Sequence, residues 1–118
     1  MVSGPAAAPE RLIGTALSST AVSFVWDLIP VLLRKGIIRG YKIHFISLES
    51  PPHTGDVQFV GGSLQQGYVP GLRFWTYHNF SIYARTVKGY GPGSHNITLR
   101  TEEHSKLATR YMHNFPLF

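Results

Sequence analysis

Two stretches, Tyr41-Lys42-Ile43-His44-Phe45 and Asn79-Phe80-Ser81-Ile82-Tyr83-Ala84-Arg85, decide the fold, because every second residue in each carries an inward-type apolar side chain. Such alternation is typical of a half-buried β-strand, whose successive side chains point to opposite faces. Shorter runs with the same spacing, or needed to cover a sheet edge, lie outward along the chain: Arg11 to Ile13, Val22 to Trp26, Val57 to Phe59, Val69 to Leu72 and Ile97 to Leu99. Glycine, proline and serine separate the runs. The pattern predicts an all-β, seven-stranded antiparallel sandwich.

Length and composition agree with one such domain. The chain has 118 residues, of which 43% are hydrophobic and 14% charged, so it can bury an ordinary core. It contains no cysteine, which excludes disulfides, thiolate metal sites and cysteine nucleophiles. A sandwich of this composition must be held together by packing.

The order of residues resembles that of a fibronectin type III domain, an immunoglobulin-like sandwich, over residues 9–103. Five features carry the resemblance in register: Trp26; the Gly36 to Phe45 stretch with its Gly40-Tyr41 pair; Leu72, Thr76, Phe80, Ile82 and Ala84; the turn Gly89-Tyr90-Gly91-Pro92-Gly93-Ser94; and the closing Thr101-Glu102. The resemblance, with the strand pattern, implies these core residues: Trp26, Tyr41, Ile43, Leu72, His78, Phe80 and Ala84.

One core position departs from the resemblance. His78 stands where this family usually has a corner tyrosine whose hydroxyl bonds back to the preceding loop. Either His78 supplies a ring nitrogen to that bond, or a bulge turns Tyr77 inward instead. We favour His78, because Thr76 also fits the pattern.

The two ends predict no structure of their own. Residues 1–8 have neither the basic start nor the apolar stretch of a secretory signal and are expected to form a flexible leader. Residues 104–118 are expected to form a loosely ordered tail, or alternatively the first strand of a following domain. No stretch is long and apolar enough to cross a bilayer, so we expect no membrane contact by this fragment.

Catalytic and metal-binding patterns are not found. The six histidines show no ligand spacing, and the acidic residues fall in separate turns or point to opposite sides of an extended chain. The glycines of residues 89–93 lack the spacing and the following helix of a dinucleotide site. We therefore predict a protein that is not an enzyme, with no cofactor, no metal and no nucleic-acid partner.

Two triplets, Asn79-Phe80-Ser81 and Asn96-Ile97-Thr98, match the acceptor sequence for N-glycosylation. If Phe80 and Ile97 face the core, Asn79 and Asn96 face solvent. These sites, together with the resemblance, predict the extracellular part of a secreted or membrane-anchored parent protein.

The net charge of +5 suggests a basic surface. Outward positions on the third, sixth and seventh predicted strands would share one face and carry Lys42, His44, Tyr83, Arg85 and Arg100. Such a face could bind a glycosaminoglycan or another polyanion. The alternative is a solvated sheet surface, and glycans on Asn79 and Asn96 would compete for the same face.

A second candidate site lies in the loops at one end of the sandwich. The connection after Trp26 is unusually apolar, and the turn at residues 87–92 should lie beside it. The predicted partner-binding residues are Val31, Leu32, Leu33, Arg34, Lys35, Lys88 and Tyr90, with Tyr90 as an aromatic anchor. Alternatively, the apolar residues fold back onto their own sandwich or pack on a neighbouring domain.

Together these features predict a non-catalytic protein-interaction or spacer module of a multidomain cell-surface receptor or adhesion protein. The partner would be a protein or a neighbouring domain of the parent chain. Two alternatives stay open: an intracellular structural module of the same fold, and a polyanion-binding module that uses the basic sheet face.

Overall fold

A computed structural model describes residues 4–103 and shows two antiparallel sheets packed face to face. The eight strands are β1 (Ile13–Ala16), β2 (Val22–Val25), β3 (Gly40–Ser47), β4 (Thr54–Val60), β5 (Gln66–Val69), β6 (Tyr77–Thr86), β7 (Gly89–Tyr90) and β8 (Ile97–Arg100). One sheet has the order β1-β2-β5. The other runs β4-β3-β6, and both β7 and β8 pair with the far edge of β6. The predicted all-β sandwich is confirmed.

The strand count differs from the prediction by one. The additional strand, β7, has two residues and pairs with β6 through Arg85 and Thr86. A ladder this short leaves no alternation to detect. The first strand also begins later than expected, because Arg11 has a left-handed backbone (φ 53°) and the extended run starts only at Ile13.

The core lies between β2 and β5 on one side and the central pair of β3 and β6 on the other. In this pair Tyr41 lies opposite Ala84, Ile43 opposite Ile82 and Phe45 opposite Phe80. The ring of Phe80 meets that of Phe24 from the other sheet edge-to-face at 4.9 Å between centroids. All the core positions expected from the sequence are buried: Trp26, Tyr41, Ile43, Leu72, His78, Phe80 and Ala84.

The corner before β6 is built on His78. Its ring is fully buried, and its Nδ1 lies 3.0 Å from the carbonyl oxygen of Thr76, whereas Tyr77 is exposed. The neighbouring Thr101 is buried as well: its hydroxyl donates to the carbonyl of Arg73 at 2.6 Å and accepts the amide of Thr76 at 3.0 Å. A histidine and a threonine thus close the corner.

The chain ends differ in what the structure describes. Residues 4–8 were expected to be flexible, but Gly4 and Pro5 are buried and the amide of Ala6 donates to the carbonyl of Leu33 at 2.8 Å. A Cβ on Gly4 would lie 2.5 Å from the backbone of Tyr90, so this segment is seated against the sandwich. The predicted tail at 104–118 lies outside the described residues.

Candidate binding surfaces

The segment between β2 and β3 and the turn between β6 and β7 lie at the same end of the sandwich, which we call the loop pole (residues 27–39 and 86–89). The amide of Arg39 donates to the carbonyl of Arg85 at 2.8 Å. A Cβ on Gly36 would lie 3.5 Å from the methyl group of Thr86. These contacts bring the two predicted loops together.

The apolar loop after β2 has a buried part and an exposed part. Ile29 is 1% exposed and Leu28 packs partly against the core, so the first residues fold back onto the sandwich. Val31 and Leu32 are 71% and 91% exposed and lie on a 3₁₀ turn, Val31–Leu33, that buries none of its residues. The fold-back anchors the loop and leaves its tip apolar.

Local hydrogen bonds hold this tip in place. Arg34 donates its Nε to the carbonyl of Ile29 at 2.6 Å, and the amide of Leu33 donates to Pro30 at 2.9 Å. Lys35 then takes a left-handed conformation (φ 56°) and Gly36 follows at φ 138°, which reverses the chain toward β3. The exposed leucines therefore sit on a fixed turn.

Two further apolar residues enlarge the tip. Ile37 is 69% exposed and Val87 is 76% exposed. Sequence reasoning missed both, because a period-two pattern carries no information about loops. Their signal was β-branched apolar residues in turns that should be polar. With Val31, Leu32 and the half-exposed Leu33 they form what we call the apolar tip.

Basic residues are close neighbours of the apolar tip along the chain. Lys35 and Lys88 are exposed, as is Arg39, and Arg34 is half-buried. An apolar centre with a charged rim is the usual anatomy of a protein contact surface.

A cleft of about 420 Å³ opens beside the tip, lined by Val31, Arg34, Ile37 and the Gly62 turn among others. The turn approaches closely: a Cβ on Gly62 would lie 1.9 Å from the carbonyl oxygen of Ile38. Beneath it the buried Tyr41 donates its hydroxyl to the carbonyl of Gly62 at 2.7 Å, and burial raises the pKa of that phenol. The floor of the cleft is therefore tied to the core.

Tyr90 does not lie at the apolar tip. Its ring turns onto the outer face of the β3-β6 sheet, 4.4 Å from Nζ of Lys42, whose ammonium also lies 5.0 Å from the ring of Tyr83. Gly93 makes room, since a Cβ there would lie 2.5 Å from the Tyr83 ring. The predicted aromatic anchor thus belongs to a cation-π group on the sheet face.

The predicted polyanion face is divided. Nδ1 of His44 lies 2.7 Å from a carboxylate oxygen of Asp56. Asp56 belongs to β4, which lies beside β3 on this face and was not among the three strands from which the face was predicted. Arg100 stacks 3.7 Å from the ring centroid of Trp75 and pairs with the Tyr77 end of β6, whereas Arg85 lies eight residues further along that strand. At about 3.3 Å per residue the two arginines are about 26 Å apart. The five residues do not form one basic patch.

The two glycosylation triplets meet on this same face. Asn79 lies opposite Thr98 of β8, whose hydroxyl donates to the Asn79 side-chain oxygen at 2.6 Å. Asn79 is half-buried in the central strand, while Asn96 is exposed just before β8. The threonine of one acceptor triplet therefore hydrogen-bonds the asparagine of the other.

Two other features bear on chemistry. Among residues 4–103 no three histidine, aspartate or glutamate side chains gather in a way that could hold a metal ion. Over the same range no helix is long and apolar enough to cross a membrane.

The chain is similar to segments of much longer proteins. It is 31% identical over 100 residues to Protein sidekick-1 of Mus musculus and 31% identical over 99 residues to Tyrosine-protein phosphatase Lar of Drosophila melanogaster, each match covering 84% of this chain. The chain spans 5% of the length of either relative. No family profile matches the sequence.

Solved structures agree with the sequence relatives. The third fibronectin III domain of human KIAA0343 protein superimposes with a TM-score of 0.80 at 24% identity, covering 87% of both chains. The FN5 domain of Drosophila Lar superimposes with a TM-score of 0.66 at 27% identity, covering 83% of this chain and 97% of that one. Sequence relatives and solved structures thus agree, and the chain is a fibronectin type III domain.

Proposed function

We propose that this domain is a non-catalytic protein-interaction module of a multidomain cell-surface receptor, and that the apolar tip of the loop pole is its contact surface. The observation that carries the proposal is the exposure of Val31 and Leu32 on a turn fixed by hydrogen bonds. Ile37 and Val87 add exposed apolar side chains in the same two loops. A rigid loop loses little conformational entropy on binding, which favours its use as a recognition surface. The partner is another protein or a neighbouring domain of the parent chain.

The receptor context rests on the relatives. They also include the receptor-type tyrosine-protein phosphatase F of Danio rerio and of Bos taurus, each 28% identical over 102 residues, and the match covers 5% of the length of each. A short match to a large enzyme argues for a shared accessory domain, not for shared catalysis. The described residues form a β-sandwich that exposes the apolar tip, and such a surface is suited to binding another protein.

Substituting the tip tests the interaction. A tetramerised form of the domain should bind cells that display the partner, and Leu32→Asp should weaken this binding about 30-fold, as expected for a central contact residue worth about 2 kcal/mol. The matched control is Leu48→Asp, because Leu48 is also exposed, at 56%, but follows the opposite end of β3. Cell binding measured by flow cytometry gives the comparison. Equal losses in both variants, or none in either, would contradict a contact at the loop pole.

Glycosylation tests the extracellular placement. When the domain is secreted from mammalian cells, we expect a glycan on the exposed Asn96 and less occupancy of the half-buried Asn79. Mass spectrometry before and after enzymatic glycan removal, with Asn96→Gln and Asn79→Gln as paired variants, measures each site. Absence of glycan from both sites would favour the intracellular structural module. A glycan on Asn79 alone would contradict the role assigned to exposure.

The polyanion alternative receives less support from the structure. His44 is paired with Asp56, and the arginines lie at opposite ends of β6. Multivalent binding to a polyanion needs several cations within reach of one chain segment. It stays a prediction that heparin retention of an Arg85→Ala, Arg100→Ala double variant can test.

A further inference from the structure

The outer edge of β4 carries a row of backbone groups that no described residue pairs. Two bonds fix the phase of the β3-β4 ladder: the amide of Ser47 donates to His53 at 2.8 Å, and the amide of Gly61 donates to Arg39 at 3.0 Å. Hydrogen-bonded pairs alternate along an antiparallel ladder, so the odd-numbered residues of β4 bond to β3. The amides and carbonyls of Thr54, Asp56, Gln58 and Val60 therefore point away from β3, within the plane of the sheet.

This edge lacks the usual protection against pairing. Residues 54–60 contain neither lysine nor proline, and no bulge interrupts the register from Gly40↔Val60 to Ile46↔Thr54. The single charge, Asp56, is held on the sheet face by His44 at 2.7 Å. At seven residues β4 is the longest of the edge strands, since β1, β5 and β8 have four each and β7 has two. Long, unprotected edges are templates for another strand.

We propose that two copies of this domain pair through their β4 edges in an antiparallel, two-fold symmetric dimer. One register pairs the residues whose backbone groups are free with the same residues of the second copy. In this register Thr54 lies opposite the partner subunit's Val60, and Asp56 lies opposite the partner subunit's Gln58. Both residues of each such pair have a free amide and a free carbonyl, so each pair exchanges two backbone hydrogen bonds. The two β4-containing sheets become one continuous sheet.

Side chains support a second copy as the occupant. No like charges face each other in this register, and the Asp56 carboxylate meets an amide. On the same chain Gln58 lies beside Lys42, so each row across the interface alternates between a base, an amide and an acid. On the inner face the half-buried Val57 meets the partner subunit's Val57, and Gly55 meets the partner subunit's Phe59, a small residue against a large one.

The glycosylation triplets leave this edge open. Asn79 lies two strands away from β4 and Asn96 three, in the order β4-β3-β6-β8. At about 4.8 Å between strands the nearer asparagine is about 10 Å from β4. Glycans there cover the middle and far side of the sheet.

A proline at Gln58 tests the dimer in the full 118-residue chain. Gln58→Pro removes an amide that β3 does not use, and Val57 before it is already extended, so the fold is kept. Two hydrogen bonds are lost per dimer by symmetry, and we expect the dissociation constant measured by analytical ultracentrifugation to rise about 30-fold. The matched control, Gln58→Ala, loses the same side chain and its contact with the partner subunit's Asp56 but keeps the backbone amide. It should weaken the dimer less than Gln58→Pro does, and the difference between the two variants isolates the backbone hydrogen bonds.

Amide hydrogen exchange of the unmodified chain gives an independent readout. The amides of residues 54, 56, 58 and 60 should gain protection as the protein concentration rises, while those of residues 55, 57 and 59 are protected throughout. A monomer with the four amides always unprotected would overturn the proposal. So would a dimer that leaves them unprotected, since another surface then pairs. Protection independent of concentration would show that a segment of the same chain, such as 104–118, occupies the edge, and would also overturn it.

Discussion

Replacing Phe80 by alanine is expected to lower the free energy of unfolding by about 3 to 5 kcal/mol, the range measured for fully buried phenylalanines. Phe80 is 0% exposed and lies in β6, the strand that pairs with β3, β7 and β8. Its ring contacts Phe24 across the two sheets at 4.9 Å and stacks on His78 at 5.9 Å. The cavity would open between the sheets, where neighbouring strands cannot move in to fill it. Urea denaturation monitored by tryptophan fluorescence measures the loss.

A second phenylalanine on the same chain provides the control. Phe74 is 59% exposed, and Phe74→Ala should cost about 1 kcal/mol or less, as for most surface changes. The difference between the two variants isolates burial from the change of residue type. Since small domains are stable by only about 5 to 15 kcal/mol, Phe80→Ala should remove a large share of the free energy that keeps the domain folded. Equal losses for the two variants would contradict the placement of Phe80 at the centre of the core.

The same alternation that buries Phe80 explains why the central sheet could be predicted. The inward residues of β3 and β6 are apolar except at the strand ends, where the corner histidine, Ser47 and Thr86 are buried, and a shift by one position would expose the whole set. Where one face of a sheet is buried, the alternation of apolar residues in the sequence therefore determines the strand register. The resemblance added the order of the strands, which periodicity alone does not contain.

Contacts across strands were harder to predict. The hydrogen-bond contact of His44 with Asp56 depends on β4 lying beside β3, whereas the prediction considered only three strands of that sheet. The sequence alone places Asp56 in a turn, but it lies in β4 opposite His44. Its partner followed only from the register.

The positions of loop side chains were the hardest feature to predict from the sequence. The apolar tip was predicted from composition, but Ile37 and Val87 were not, and Tyr90 was assigned to the wrong surface. A turn residue's direction depends on backbone dihedral angles such as the φ of 56° at Lys35, which many sequences can adopt. The site was therefore foreseen as a region and not as a set of side chains.

Acid is expected to destabilise the domain through His78, and the effect should disappear in His78→Tyr. The His78 ring is fully buried, and its Nδ1 lies 3.0 Å from the carbonyl of Thr76, so that nitrogen carries the proton and donates it. Its Nε2 is buried without a hydrogen-bond partner among the described residues. Protonating Nε2 would put a charge beside the rings of Phe45 and Phe80 with no acceptor for it.

Burial is the main cause that lowers the pKa of His78 below its ordinary value. The bond to Thr76 raises the pKa, nearby His53 lowers it, Glu49 raises it and Arg73 lowers it, each less than burial does. In the unfolded chain the histidine titrates at about 6.5. The unfolded state therefore takes up the proton first as the pH falls.

The sign of the effect follows from this order. Well above a pH of about 6.5 His78 is neutral in both states, and the buried neutral ring has no electrostatic penalty. Below a pH of about 6.5 His78 is protonated in the unfolded state but not in the folded state. The free energy of unfolding therefore falls by at most about 1.4 kcal/mol per pH unit for one such group. The fall ends once the pH drops below the lowered pKa of the folded state.

Tyrosine is the informative replacement, because it is the residue this family usually places at the corner and its hydroxyl can donate to the preceding loop without titrating in this range. Urea unfolding of both proteins at pH 8, 6 and 5 gives the stability difference, in which every other titrating group cancels. We expect the difference to shift in favour of His78→Tyr as the pH falls. His78→Phe, which also cannot titrate, should shift in the same direction even though it lacks the corner hydrogen bond. Parallel pH profiles for all three proteins would mean that His78 is protonated equally in the folded and unfolded states, which a buried ring with an unpaired Nε2 does not permit.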